Sequence, residues 1–178
     1  MELEELLDII DSEDQVIGTS CREEVYRECY FHRGSHVIIT NEEGEMLLSL
    51  RSSNKTIYPG TLDCSVTEHV KANEGYEEAA KRGVREELGL EDVKLKPLLK
   101  FRLCREPHGK AMFVLYSGKI RESPKAAEDE IQKVEFVSPE RLKEILETNP
   151  ETFSPWTREI IKWHCNLPSA LEVITVCQ

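Results

Sequence analysis

Glu86 and Glu87 stand side by side near the end of a segment, Tyr76 to Leu88, whose apolar residues recur at helical spacing. At about 100° per residue, Tyr76, Ala79, Ala80, Gly83, Val84 and Leu88 gather on one side as an inward stripe. Glu87 falls inside that stripe and Glu86 at its edge, while Glu77, Glu78, Lys81, Arg82 and Arg85 take the flanks or the wetter face. A carboxylate turned toward a core is costly unless it is paired, protonated or bound to a cation. A structural salt bridge from Glu87 is the plain alternative. Two adjacent acids, with Glu68 and Glu74 just upstream, favour a hard divalent cation instead. Mg²⁺ (or Mn²⁺) takes oxygen ligands and keeps some water, which leaves coordination positions for phosphate oxygens.

Composition narrows the partners. With 178 residues, 39% apolar and 32% charged, the chain suits one domain with a proper core. No apolar run approaches a membrane span. The start, Met1 to Ile10, is acidic and reads as neither a signal nor a transit peptide. Six cysteines (Cys21, Cys29, Cys64, Cys104, Cys165, Cys177) are scattered without a C-x-x-C pair, as expected of free thiols in a cytoplasmic protein. A net charge of -11 disfavours a nucleic-acid partner, since polyanions are repelled. A small phosphorylated ligand stays compatible, because a metal ion and a few local cations can invert the field inside a pocket.

The elements that must position those acids follow from patterning. A short helix is expected over Glu2 to Ile10, an extended piece around Gln15 to Gly18 and a helical turn over Arg22 to Arg27. Ser35 to Thr40 and Glu45 to Leu50 flank Asn41-Glu42-Glu43-Gly44, a hairpin signal. Lys55 to Gly60 reads as a loop and Leu62 to Val70 as a strand; Gly89 is a natural stop for the helix of the two acids. Strands near Val93 to Leu103, Ala111 to Lys119 and Lys133 to Val137 precede helices from Pro139 to about Leu146 and from Trp156 to Trp163. The fold class expected is α/β: a mixed β-sheet between helical layers, in a single domain over 1–178 with residues 1–30 as an N-terminal extension packed on it.

The segment from 68 to 90 resembles the Nudix box, G-x5-E-x7-R-E-U-x-E-E-x-G-U with U aliphatic. Glu74, Arg82, Val84, Glu86, Glu87, Gly89 and Leu90 match it at full spacing. Two positions depart: Glu68 stands where the first Gly belongs, and Gly83 where the Glu after Arg belongs. The resemblance implies a Nudix-type α/β/α sandwich, metal ligands among Glu86, Glu87, Glu74 and Glu68, and a role for Arg82 in orienting a box acid, Glu74. Loss of an acid at Gly83 removes one ligand, whose charge Glu68 or Glu74 could replace. A degenerate site that binds diphosphates without cleaving them is the alternative.

Outside the box, Asp8 to Gly18, His32 to Thr40, Arg51 to Val70 and Ser154-Pro155-Trp156 resemble type I isopentenyl-diphosphate isomerases and their hydrolase relatives. By that likeness Arg51 and Lys55, before Pro59-Gly60, would contact the substrate diphosphate, an Arg fork and a Lys point charge suiting that group. The isomerase reaction itself lacks its parts. Thr67 holds the position of the isomerase Cys, Tyr26 that of a His ligand, and Ala111 to Tyr116 carries no acid. Cys64, three residues before Thr67, points to the opposite strand face. His32 and His69 rank below the glutamates, and His36, His108 and His164 have no comparable support. The expected activity is metal-dependent hydrolysis of a diphosphate linked to another moiety, with Glu86, Glu87 and Arg82 as catalytic residues. Glu87, Glu128 or Glu130 would serve as general base. Trp156 and Tyr58 would stack on a nucleobase or pack in the core, packing being the safer expectation. The oligomeric state is open, a homodimer being one option.

Overall fold

The computed structural model describes residues 5–104, 110–121, 124–125, 127 and 131–177. In chain order these form β1 (Leu6–Ile10), β2 (Val16–Cys21), α1 (Arg22–Arg27), β3 (Phe31–Thr40), β4 (Met46–Arg51), β5 (Leu62–Asp63) and β6 (Val66–His69). Then come α2 (Tyr76–Leu88), β7 (Lys96–Cys104), β8 (Lys110–Lys119), β9 (Ile131–Val137), α3 (Pro139–Thr148), α4 (Pro155–His164) and β10 (Glu172–Val176). The mixed α/β architecture is the expected one.

The eight-stranded sheet runs β10-β7-β8-β3-β4-β5, with β6 also paired to β3 and β9 to β4. β3 and β8 are parallel along the whole of β3. Alternation along β3 divides the core. Ile38 joins Met46, Leu48, Phe101, Leu142 of α3 and Ile160 of α4 on one face. Val37 and Ile39 join Leu47, Val66 and the Ala80, Val84 and Leu88 stripe of α2 on the other. Helices therefore cover both faces, as in an α/β/α sandwich.

β3 and β4 share a ladder only at the hairpin end, Thr40 opposite Met46, and then part. Buried Ser65 fills the split: its hydroxyl accepts from Ile39 N at 2.8 Å and donates to Leu47 O at 2.7 Å. Backbone groups that lost their ladder are thereby satisfied. The expected single strand over Leu62 to Val70 is broken here into β5 and β6.

The expected helix over Glu2 to Ile10 is corrected: residues 6–10 form a strand paired with β2. Leu6, Leu7, Ile9 and Ile10 satisfy helical and strand spacing alike, and the turn decides between them. Asp11 Oδ1 accepts from the backbone N–H of Glu13 and Gln15 at 2.8 and 2.9 Å, closing a hairpin. Leu7 and Ile10 are thereby buried. The hairpin braces the approach to α2: Ala72 N donates to Leu6 O at 2.8 Å and Asn73 N to Asp8 Oδ2 at 3.1 Å.

α2 has the expected bounds. At its start the Gly75 N–H donates to Glu78 Oε2 at 2.8 Å. At its end Gly89 adopts φ 65°, and Leu90 N reaches back to Val84 O, a left-handed stop that glycine takes without strain. β10 was absent from the sequence expectation.

Candidate active site

A cleft of about 420 Å³ opens where α2, β6, the 52–60 loop and the N-terminus of α4 meet β3 and β8. Its size suits a small organic ligand. Arg22, Arg51, Lys55, Lys71 and Arg82 line it against Glu5, Glu68 and Glu86, so the cleft is locally cationic on an acidic protein. Leu103, Ala111 and Phe113 give it an apolar floor, and Tyr58 and Trp156 a wall.

Arg82 is the hub of the α2 side. Its Nε and Nη2 grip the two oxygens of Glu74 at 2.9 and 3.0 Å. Nη1 donates to Glu68 Oε2 at 2.9 Å and Nη2 to His69 O at 2.9 Å, with Glu86 Oε2 at 3.6 Å from Nη1. Burial alone would lower the Arg82 pKa; the bonds to Glu74 and Glu68 overcome that and hold it above its ordinary value. Burial likewise works against Glu74, yet its bonds from Arg82 and Lys71 N keep its carboxyl below the usual range.

Glu87 and Glu86 part company. Glu87 is 9% exposed and faces a second cavity of about 30 Å³ lined also by Ser49, Arg51, Lys55, Asp63, Cys64, Thr67 and Ile131. Glu86 lies on the rim of the main cleft with its side chain 52% exposed. The structure thus collects Arg51, Lys55, Glu68, Arg82, Glu86 and Glu87 around two adjoining cavities that share Arg51, Lys55 and Thr67, while Glu74 lines neither and is held through Arg82.

Arg51 is not a free fork. It donates to Asp63 Oδ2 at 2.8 Å and to Ile57 O and Tyr58 O at 2.9 and 3.2 Å, and it stacks over the Trp156 ring. Its guanidinium therefore ties down the loop that carries Lys55. Asp63 is the second hub: its Oδ1 also accepts from Ser154 Oγ and Trp156 Nε1 at 3.0 and 2.6 Å. Trp156 and Tyr58 meet edge to face at 5.4 Å, so the two rings pack together and wall the cleft at once.

Two residues that sequence reasoning named but gave no role border the cleft. His36 is fully buried between Phe101 and Phe113, bonded through Nδ1 to Thr67 Oγ1 at 3.0 Å, and borders the cleft. Its Nε2 has no hydrogen-bond partner among the described residues. Burial pulls its pKa down to about 4, so the ring is neutral. The period-2 alignment of His32, Gly34 and His36 on β3 was the available signal. Tyr26 is the other: its hydroxyl meets His69 Nε2 at 2.7 Å, and His32 lies against both rings. Burial lowers the pKa of His32 and, first among several causes, of His69.

Glu128, Glu130 and His108 lie outside the described residues, and His164 sits on α4 away from the cleft lining. Thr67, at the isomerase Cys position, lines the cleft, whereas Cys64 is buried in the core with its thiol pKa pushed up by burial. The only described β8 residues lining the cleft are Ala111 and Phe113.

The donor set suits a hard cation only in part. Among the described residues no three His, Cys, Asp or Glu side chains converge as a closed cage. Glu68 and Glu86 nonetheless approach the same Arg82 nitrogen, and Gly83, lacking a Cβ, leaves the space through which Glu68 reaches them. An open pair of carboxylates fits Mg²⁺ that keeps water and takes phosphate oxygens.

A sheet flanked by helices on both faces, with a carboxylate-bearing helix edging a cationic cleft, defines an α/β fold whose cleft suits an anionic ligand. Residues 30–164 match the NUDIX domain family, and the chain belongs to that family. It is 32% identical over 158 residues to a prenyl-diphosphate phosphatase of Methanosarcina mazei, covering 86% of this chain and 91% of that one. It is 28% identical over 165 residues to an isopentenyl-diphosphate Δ-isomerase of an Enterobacter strain, covering 88% of each. The crystal structure of DR0079 from Deinococcus radiodurans superposes with a TM-score of 0.75 at 25% identity, covering 89% of this chain and 98% of that one. The mixed sheet with its helices is thus the Nudix fold, and the chain is a member of a hydrolase family.

Proposed function

We propose that the chain is a Mg²⁺- or Mn²⁺-dependent hydrolase of a diphosphate attached to a short apolar group, a prenyl diphosphate being the leading class. One observation carries the substrate end: the cationic rim of Arg51, Lys55 and Arg82 faces an apolar floor of Leu103, Ala111 and Phe113 within one cleft. The name of the Methanosarcina relative supports the same class. Free cysteines, six in all, fit a reducing cytoplasm.

In this reading Lys55 and the remaining N–H groups of Arg51 neutralise charge on the phosphate oxygens. Glu68 and Glu86, with Glu87 and Glu74 in support, would hold the metal, which supplies phosphate polarisation and a more acidic bound water. Glu87 is the base. Its cavity of about 30 Å³ has room for one water. The water oxygen bonds to phosphorus, its proton passes to a Glu87 oxygen, and the bridging P–O bond breaks with its electrons on the leaving phosphate.

Isomerisation would need a proton donor and acceptor on opposite sides of an allylic carbon; Thr67 and the acid-free inner face of β8 offer neither. A panel of prenyl, nucleoside and sugar diphosphates, assayed with Mg²⁺ and with chelator, tests the reading. The expected result is metal-dependent phosphate release that is fastest for short prenyl chains. Preference for a nucleotide would transfer the role of Tyr58 and Trp156 to base stacking. No turnover on any substrate would reduce the site to a binding module.

A further inference from the structure

Glu68 and Gly83 are the two departures from the box, and they touch. A Cβ built on Gly83 would lie 2.5 Å from Glu68 Cγ, 3.4 Å from Glu68 Cδ and 2.4 Å from Val66 Cγ1. Glu68 therefore runs through the space in which a side chain at position 83 would leave α2. We infer that the chain has exchanged these two positions, so that Glu68 delivers from β6 the metal-binding carboxylate that α2 lacks at Gly83.

Three further observations support the exchange, which rests on the metal-dependent reading above. Glu68 Oε2 and Glu86 Oε2 approach the same Arg82 nitrogen, at 2.9 and 3.6 Å, so the two carboxylates converge. Glu68 lies in a short strand paired to β3, opposite Ser35, so its backbone is fixed by a ladder. Glu74 is committed to the start of the helix instead: Arg82 binds both its oxygens, and Oε2 also accepts from Lys71 N at 2.9 Å, three residues before it.

The exchange makes each half incompatible with the ordinary partner. An acid at 83 alone collides with Glu68 and with buried Val66; a glycine at 68 alone leaves the helix without its carboxylate.

Mn²⁺ binding, read by electron paramagnetic resonance with methylenediphosphonate as a non-hydrolysable diphosphate, tests this apart from turnover. Glu68→Gln keeps volume and should retain the wild-type melting curve to within a few degrees while weakening Mn²⁺ binding tenfold or more. Gly83→Glu alone should melt lower and bind Mn²⁺ no better than wild type. The triple change Val66→Ala, Glu68→Gly, Gly83→Glu should bind at least threefold more tightly than Glu68→Gly alone. Wild-type affinity in a folded Glu68→Gln overturns the exchange only. Failure of the wild-type protein to bind Mn²⁺ overturns the metal-dependent reading as well.

Discussion

Asp14, in the turn of the N-terminal hairpin, accepts a hydrogen bond from the Tyr76 hydroxyl on the first residue of α2, at 3.0 Å. The same carboxylate binds Arg33 Nε at 2.6 Å and Lys100 Nζ at 2.5 Å, joining β3 and β7 to the helix of Glu86 and Glu87. Asp14 has φ 65°, a conformation asparagine tolerates, so Asp14→Asn removes the charge with little backbone penalty. Burial would raise the Asp14 pKa, but Lys100 and Arg33 hold it below the ordinary value. The depressed pKa means stability present above the unfolded value of about 3.9 and lost as pH falls through the folded one. Asp14→Asn should cost about 2 kcal/mol at pH 7, and chemical denaturation should find the gap to wild type closing in strong acid.

Glu87→Gln separates the base from the fold. The amide keeps the shape of the buried side chain but cannot take a proton. Turnover should fall about 100-fold or more, with a much smaller effect on the melting temperature. Equal losses of activity and of folded protein would make Glu87 a structural residue.

His36 predicts an acid limb of stability. An unfolded imidazole takes its proton near pH 6.5, roughly the model-peptide value, and the buried one near 4. Between those values the unfolded chain binds more protons, so stability falls as pH drops through that window and is unaffected above it. The contribution is about 1.4 kcal/mol per pH unit. His32 and His69, lowered by burial, act in the same direction. Denaturation of His36→Phe at pH 7, 6 and 5 should give a flatter dependence than wild type by about that slope.

Thr67→Cys restores the isomerase residue type at its position without the opposing acid. Isopentenyl diphosphate incubated with this variant in deuterated water should take up no deuterium at the allylic carbon. Exchange above the wild-type background would mean that an acid reaches the site after all.

The chemistry-bearing helix was legible because its signals agree. Six small or apolar residues share one face, Gly89 ends it, and Glu87 points inward, as the buried side chain has it. The residues 6–10 misled because four apolar residues around Asp8 satisfy two periods, and only the Asp11 turn and pairing with β2 choose between them. The two departures in the box were visible as separate losses. Their contact was not, since it depends on the register of β6 against α2, a tertiary fact. Arg51 and Lys55 were readable as cations near a turn, but the capture of Arg51 by Asp63 joins residues far apart in function and could not be read from type alone. His36 was passed over because its period-2 alignment with His32 and Gly34 marks a shared strand face but not the cavity beside it.

The capture of Arg51 bears on kinetics. With Ile57 O, Tyr58 O and Asp63 already held by one guanidinium, the 52–60 loop is fastened before any ligand arrives. In the proposed function no ordering of that loop gates entry, and a phosphate-bearing ligand meets the cations of the cleft at short range, against the net negative charge of the whole protein. The association rate should accordingly depend only weakly on ionic strength, because the two fields oppose each other.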